Sequence, residues 1–236
     1  MKNAILMAAG MGTRMRPLTE TMPKPLVPVA GKPMIETVID ALQSIDVEQI
    51  YIVTGYLGDQ FGYLVEKYGN ITLLKNTEYE TINNISSVHA AKEVLKMRDC
   101  YICEADLYIS DPSFLQKEYE QSGYFGKYIA GHSDDWVFEQ DENEYITRVG
   151  KVGDDCYNMV GVSFFRAKEA AILAEKIEKT YGTTGYEQLF WDDVVNHHLE
   201  ELKLTVHPVT EEMIVEIDTV QELHEVEEKL ALRGIK

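Results

Sequence analysis

The sequence predicts an α/β protein, a Rossmann-like three-layer sandwich with a mostly parallel mixed central sheet and an antiparallel extension. Three observations lead there. Short apolar runs alternate with segments of helical periodicity through residues 1–110, the order that puts helices on both faces of a parallel sheet. Beyond them the strand candidates lie closer together, as antiparallel additions do. The 236 residues, 45% apolar and 26% charged, suit one ordinary domain and rule out two large ones. No repeat, low-complexity tract or polar linker divides the chain. It reads as one domain over 1–236, made of halves 1–110 and 111–218 and a closing helix 219–236.

The elements follow in order. Ala4 to Ala8 is an apolar run that stops at Gly10, the pattern of a buried strand. Residues 17–33 hold five of the seven prolines, at 17, 23, 25, 28 and 33. They forbid a regular helix and predict a long ordered loop, a kind that is usually functional. Met34 to Ile45 carries apolar residues at 34, 35, 38, 39, 42 and 45, one stripe of an amphipathic helix. Next come a strand at 49–53, a helix at 58–68, a strand at 71–75, a helix at 84–96 and a strand from Cys100 to Ala105. The second half reads as strands at 127–131, 144–150 and 158–165, helices at 167–180 and 186–199, and strands at 202–208 and 212–217. Thr219, with Glu222 three residues on, has the capping-box spacing that opens a last helix. In such sheets ligands sit at the carboxyl ends of the parallel strands.

Charge and cysteine content exclude several classes. Twenty-two basic against 40 acidic residues leave −18, which repels nucleic acid at long range. Residues 1–33 run the other way: Lys2, Arg14, Arg16, Lys24 and Lys32 against Glu20 sum to +4, so the rest sums to −22. A basic island on an acidic chain points to a small anionic ligand. Cys100, Cys103 and Cys156 are an odd number, and the C-x-x-C pair has neither a second pair nor a redox context, so it reads as two strand thiols rather than a zinc or redox site. No apolar stretch reaches membrane-span length, and Met1 leads straight into a short apolar segment without a signal-peptide pattern. The expectation is a cytoplasmic protein with no membrane partner. Fourteen tyrosines and seven phenylalanines leave a homodimer open without fixing it.

The strongest chemical signal is Leu6-Met7-Ala8-Ala9-Gly10-Met11-Gly12-Thr13-Arg14, followed by Pro17 and Pro23-Lys24-Pro25-Leu26. Small residues after a strand let backbone N–H groups converge on phosphate oxygens, and Arg14 and Lys24 add charge. It is no P-loop, since Gly-Lys-Ser/Thr is missing, and Met15 stands where a dinucleotide fingerprint needs its third glycine. Asp106 and Asp218 each sit where an apolar run stops. If their strands are neighbours in one sheet, the two carboxylates can share a magnesium ion, which takes one or two carboxylates plus phosphates and waters. Either aspartate alone would serve equally as a cap or turn residue.

The glycine-loop signature resembles the nucleotidyltransferases that activate sugar phosphates and phospho-alcohols. Asn83-Asn84-Ile85-Ser86-Ser87, Glu104-Ala105-Asp106-Leu107-Tyr108, Met159 to Phe164, Phe190-Trp191-Asp192-Asp193 and Glu216-Ile217-Asp218 extend the likeness over essentially the whole chain. Together they resemble the bacterial CTP:phosphocholine cytidylyltransferases of that superfamily. The match is weakest over 124–158. The resemblance implies that CTP and phosphocholine give CDP-choline and pyrophosphate, by in-line attack of the acceptor phosphate on the α-phosphate with Mg2+ held by Asp106 and Asp218.

It implies roles as well. Lys24 and Arg14 are the catalytic cations, and Leu6, Ala8, Ala9, Gly10, Met11, Gly12, Thr13, Asn84, Ser87 and Glu104 join them around the nucleotide, Asn84 and Ser87 doubling as candidate helix caps. The halves become a nucleotide-binding half, 1–110, and an acceptor-binding half, 111–218. A quaternary ammonium needs aromatic faces backed by acids. Asp134-Asp135-Trp136 and Trp191-Asp192-Asp193 offer both, so Trp136, Tyr186, Trp191 and Asp192 are the acceptor candidates. Phosphoethanolamine, 2-aminoethylphosphonate or a sugar 1-phosphate are alternative acceptors, and a non-catalytic nucleotide sensor is the alternative of another class.

Overall fold

A computed structural model describes residues 1–45 and 47–234. The chain enters on β1 (Lys2–Ala8), crosses the proline-rich loop through three short 3-10 turns and a tiny ladder, β2 (Pro28–Val29) with β3 (Lys32–Pro33), and reaches α1 (Met34–Gln43). Then come β4 (Val47–Thr54), α2 (Gly62–Tyr68), β5 (Ile71–Lys75), α3 (Ile85–Ala90), α4 (Lys92–Leu95) and β6 (Asp99–Glu104). The second half holds β7 (Leu107–Ile109), β8 (Gly123–Gln140), β9 (Ile146–Phe165), α5 (Ala167–Thr180), α6 (Trp191–Asn196), α7 (Leu199–Leu202), β10 (Thr205–Pro208), β11 (Ile214–Glu216) and α8 (Val220–Leu232). The last of these falls inside the predicted helix 219–236, whose final two residues lie outside the described ones.

Seven strands form the central sheet in the order β10-β8-β9-β6-β1-β4-β5. β1 pairs in parallel with both β4 and β6, β4 with β5 and β10 with β8, whereas β9 runs antiparallel to β6 and β8. This is the predicted mixed sheet. Ala4, Leu6 and Ala8 of β1 pack among Ile35, Val38, Leu42 and Leu64 on one face. Ile5 packs among Ile85, Leu95, Leu173 and Val194 on the other. Both faces are covered, which is why β1 reads as an unbroken apolar run rather than an alternating one.

Several predicted boundaries move. The three strands expected at 127–131, 144–150 and 158–165 are two long ones, β8 and β9. Register shifts along their ladder and the acids Asp134, Asp135, Asp154 and Asp155 break the period-2 pattern and hid the continuity. The helix predicted over 84–96 divides at Ala91 into α3 and α4. That predicted over 186–199 divides into a 3-10 turn at Tyr186–Gln188, α6 and α7, because Phe190 is extended and Asp193 accepts its N–H at 2.8 Å, starting a new helix. Lys203, at φ 47°, then ends α7, and the strand predicted from 202 begins at Thr205.

Cys100 and Cys103 are buried on β6 in separate clusters on opposite faces of the sheet, and burial pushes both thiols upward. A shared metal is thereby excluded for that pair. No helix among the described residues is long and apolar enough to cross a membrane.

Candidate active site

β1 delivers the chain to Ala9 and Gly10 at its carboxyl end, and the loop turns through Gly12 at φ +58°. A Cβ on Gly12 would lie 2.7 Å from the Lys24 Cβ, so the glycine is needed for both its backbone conformation and its close approach. Gly12→Ala is expected to push Lys24 aside and lower turnover by at least about tenfold while circular dichroism stays native, since a left-handed non-glycine residue costs only about 1–2 kcal/mol. Turnover equal to wild type would show that the loop absorbs the methyl.

A cavity of about 470 Å³ opens here. Ala8, Ala9, Gly10, Gly12, Thr13 and Arg14 form one wall, Asn83, Asn84 and Ser87 another, and Lys24 with Glu104, Asp106, Glu216 and Asp218 the floor. Leu6 is fully buried in the core and Met11 points to solvent, so neither side chain lines the cavity. Met7, Pro25 and Asn83 line it without having been singled out individually.

The two aspartates meet, but not by the predicted route. β6 and β11 are not neighbours in the sheet. Instead β7, which follows Asp106, pairs antiparallel with β11 in a separate two-stranded sheet, and Ile217 donates its N–H to the Asp106 carbonyl at 3.2 Å. Thr219 takes over the capping: Glu222 N–H reaches its Oγ1 at 3.1 Å, and the Glu222 carboxylate accepts the Asp218 and Thr219 N–H groups at 2.7 and 2.9 Å. That leaves the Asp218 side chain free of cap duty. Lys24 Nζ, only 7% of its residue exposed, lies 2.5 Å from both Asp106 Oδ2 and Asp218 Oδ1. Arg14 Nη2 reaches the same Asp218 oxygen at 2.7 Å.

Burial works against the Lys24 charge, but Asp106 and Asp218 outweigh it and push its pKa up to about 12. Glu104 is held well above the usual carboxylate range by burial first and then by Asp106. Burial, then Asp106 and Asp218, push Glu216 up to about 8. Fully ionised, the four carboxylates of the floor would outnumber the two cations, Lys24 and Arg14. Oxygens of Glu104, Asp106 and Glu216 lie within 4.8 Å of one another, and Asp106 Oδ1 is buried without a hydrogen-bond partner among the described residues. Hard oxygen donors with an unsatisfied lone pair suit magnesium. Asp218, predicted as Asp106's co-ligand, is not in that trio and is engaged by the two cations. Glu216 had a readable signal: like Asp218, it sits at the end of the apolar run that forms β11.

Asn84 stands at the start of α3 but makes no side-chain cap. Its Oδ1 accepts the Trp191 N–H at 3.0 Å, which leaves its amide hydrogens for a ligand. Ser87 Oγ accepts from Asn76 Nδ2 at 3.2 Å and keeps its own hydrogen to donate.

A second cavity, about 320 Å³, shares Arg14, Asn84, Glu104, Glu216 and Asp218 with the first. It adds Asp134, Asp135, Trp136, Lys151, Phe190 and Asp192. Trp136 and Phe190 meet edge to face at 5.5 Å, with Lys151 Nζ 5.7 and 5.9 Å from their ring centres. Asp192 is buried, accepts from the Tyr124 hydroxyl at 2.9 Å, and is pushed up to about 7 by burial against that hydrogen bond.

Two acceptor candidates are placed elsewhere. Trp191 is 3% exposed and packs in the core between Tyr124 and Phe165, because successive helical residues point about 100° apart and Asp192 takes the cavity side. Tyr186 packs edge-on against Tyr181 at 4.7 Å and lines neither cavity.

Two adjoining cavities, one lined by a glycine loop and cations and the other by acids and aromatic rings, with no activated side-chain nucleophile among the described residues that line them, suit a reaction in which one substrate attacks the other, as at a nucleotidyltransferase. The sequence model of the MobA-like NTP transferase domain matches residues 4–209. The 2-aminoethylphosphonate cytidylyltransferase of Lancefieldella rimae is 54% identical over 94% of this chain and 90% of its own. The choline-phosphate cytidylyltransferase of Streptococcus pneumoniae is 34% identical over 96% and 97%. A solved structure of CTP:phosphocholine cytidylyltransferase from that organism superposes with a TM-score of 0.89 at 35% identity, covering 97% of this chain and 99% of the other. The chain belongs to the MobA-like NTP transferase family and, within it, to the cytidylyltransferases.

Proposed function

We propose that this cytidylyltransferase transfers the CMP group of CTP to 2-aminoethylphosphonate and releases pyrophosphate. Phosphocholine, the acceptor expected from the sequence, gives way to the alternative. The relative bearing the aminoethylphosphonate name is 54% identical, against 34% for the choline-phosphate enzyme. The observation that carries the reading is the lining of the second cavity. Its aromatic side chains, Trp136 and Phe190, already face the Lys151 ammonium, and Trp191 is turned into the core. A trimethylammonium group would need those faces. Asp134, Asp135 and Asp192 are oxygen acceptors, which suit a primary ammonium with three N–H donors.

In this reading a phosphonate oxygen of the acceptor attacks the α-phosphorus of CTP in line, forming one P–O bond while the bond to pyrophosphate breaks. No protein nucleophile is needed, so positioning and charge do the work. Loop amides from Gly10 to Thr13 and Arg14 hold the β- and γ-phosphates, and Lys24 neutralises charge growing on the α-phosphate. Asn84 and Ser87 donate to acceptor atoms of the pyrimidine edge. Asp106 would hold magnesium with Glu104, Glu216 or Asp218, and the ion when bound would neutralise phosphate charge. Asp192 and its neighbouring acids hold the ammonium.

The test is pyrophosphate release with CTP and a panel of acceptors. kcat/KM for 2-aminoethylphosphonate is expected to exceed that for phosphocholine by at least about tenfold, the discrimination a site gains when its buried polar groups are correctly paired. A larger value for phosphocholine would return the acceptor to the choline series. CTP binding without pyrophosphate from any acceptor would point to a sensor.

A further inference from the structure

We propose that Tyr124, which no sequence motif singles out, is a positioning residue that makes the acceptor cavity select an ammonium-bearing substrate, by holding the Asp192 carboxylate as the counter-ion. This rests on the reading of the second cavity as the acceptor site.

Tyr124 lies on β8 and is 1% exposed, and its hydroxyl is 2.9 Å from Asp192 Oδ1. Among the described residues it is the only side chain donating a hydrogen bond to that carboxylate. The ring cannot swing away. It stacks on Trp191 at 5.6 Å and 26° and packs against Phe138 at 4.9 Å. Trp191 therefore serves the site from behind, as part of the shelf that fixes the tyrosine.

A carboxyl buried this deeply is costly to ionise unless it is hydrogen-bonded. The Tyr124 hydroxyl favours the ionised form and aims it, while Asp192 itself lines the cavity with Asp135, Trp136 and Phe190. An ammonium entering the cavity completes the ion pair. An acceptor without a cation gains nothing from Asp192 and leaves it buried and unpaired.

The experiment compares two acceptors in wild type, Tyr124→Phe, Asp192→Asn and the double variant. The ratio of kcat/KM for 2-aminoethylphosphonate over ethylphosphonate, which lacks the ammonium, is expected to fall about tenfold in Tyr124→Phe, the size of a lost hydrogen bond to a charged group. The KM for CTP stays within about twofold. In the Asp192→Asn background the tyrosine change has no further effect on the ratio, because both act through one contact. An unchanged ratio in Tyr124→Phe, additive effects in the double variant, or a parallel rise in the KM for CTP would each overturn the proposal. Phosphocholine against its neutral isostere 3,3-dimethylbutyl phosphate gives the same ratio if the enzyme prefers a choline acceptor. A wrong acceptor and a wrong role for Tyr124 are thus told apart.

Discussion

Lys24→Met is expected to lower kcat for cytidylyl transfer by about 100- to 1000-fold, the usual cost of losing one preorganised charge at the reacting group. Methionine keeps the length and apolar stem of the side chain, so the loop that packs around this buried residue has little reason to move. What disappears is a cation that two aspartates hold at 2.5 Å, on the floor of the first cavity. Because its effect grows with charge on the α-phosphate, the KM for CTP changes much less than kcat. A kcat within about tenfold of wild type would remove Lys24 from the rate-determining chemistry. Stability offers a separate readout. The folded pKa of Lys24 is raised from its ordinary 10.5 to about 12, so its ion pairs stabilise the fold fully below pH 10.5 and are lost as pH rises through 12. The methionine variant lacks that loss, and paired melting curves over this interval would reveal it.

Asp106→Asn should cost at least about 100-fold in kcat, and raising magnesium should not restore it. Asp106 links Lys24 to the acids of the cavity floor. One oxygen holds Lys24, the other is buried without a hydrogen-bond partner among the described residues, and an oxygen of this carboxylate lies within 4.8 Å of oxygens of Glu104 and Glu216. The amide preserves shape but removes the charge both partners need. Its amide hydrogens would face Lys24 or the neighbouring acids in an unproductive arrangement. Magnesium titrations of pyrophosphate release should be run beside Glu216→Gln and Asp218→Asn. If Asp106→Asn turns over near the wild-type rate, the floor of the cavity is not where charge is managed. A larger loss in Glu216→Gln than in Asp218→Asn would assign the second ion-holding carboxylate to Glu216.

Much of this was legible in the chain. The apolar run into Ala9-Gly10, the proline cluster and the basic island among acids all describe local events: a buried strand must end, a helix cannot form, a charge excess needs a partner. The Thr219–Glu222 capping box was read correctly for the same reason, since its partners lie three residues apart. Legibility failed where partners are distant. Asp106 and Asp218 were expected to meet across neighbouring strands of one sheet, but a two-stranded side sheet brings them together, and three-residue strands carry almost no periodic signal. The resemblance raised two tryptophans to acceptor candidates, yet rotation about α6 sends Trp191 into the core and its neighbour Asp192 to the cavity. Tyr124 and Lys151 lie on the two long strands whose register shifts interrupt the period-2 pattern, so the side chains proposed to set specificity stand where that pattern is least legible.

By itself, then, the sequence determined the class of fold and the glycine-loop wall of the first cavity with its two cations, because both follow from short-range rules of backbone conformation, periodicity and charge. Only the tertiary structure decided which carboxylates share the floor with Lys24 and which side chains line the second cavity. Those are questions of direction in three dimensions, set by a strand's register or a helix's rotation, and a shift of one residue exchanges a cavity wall for the core.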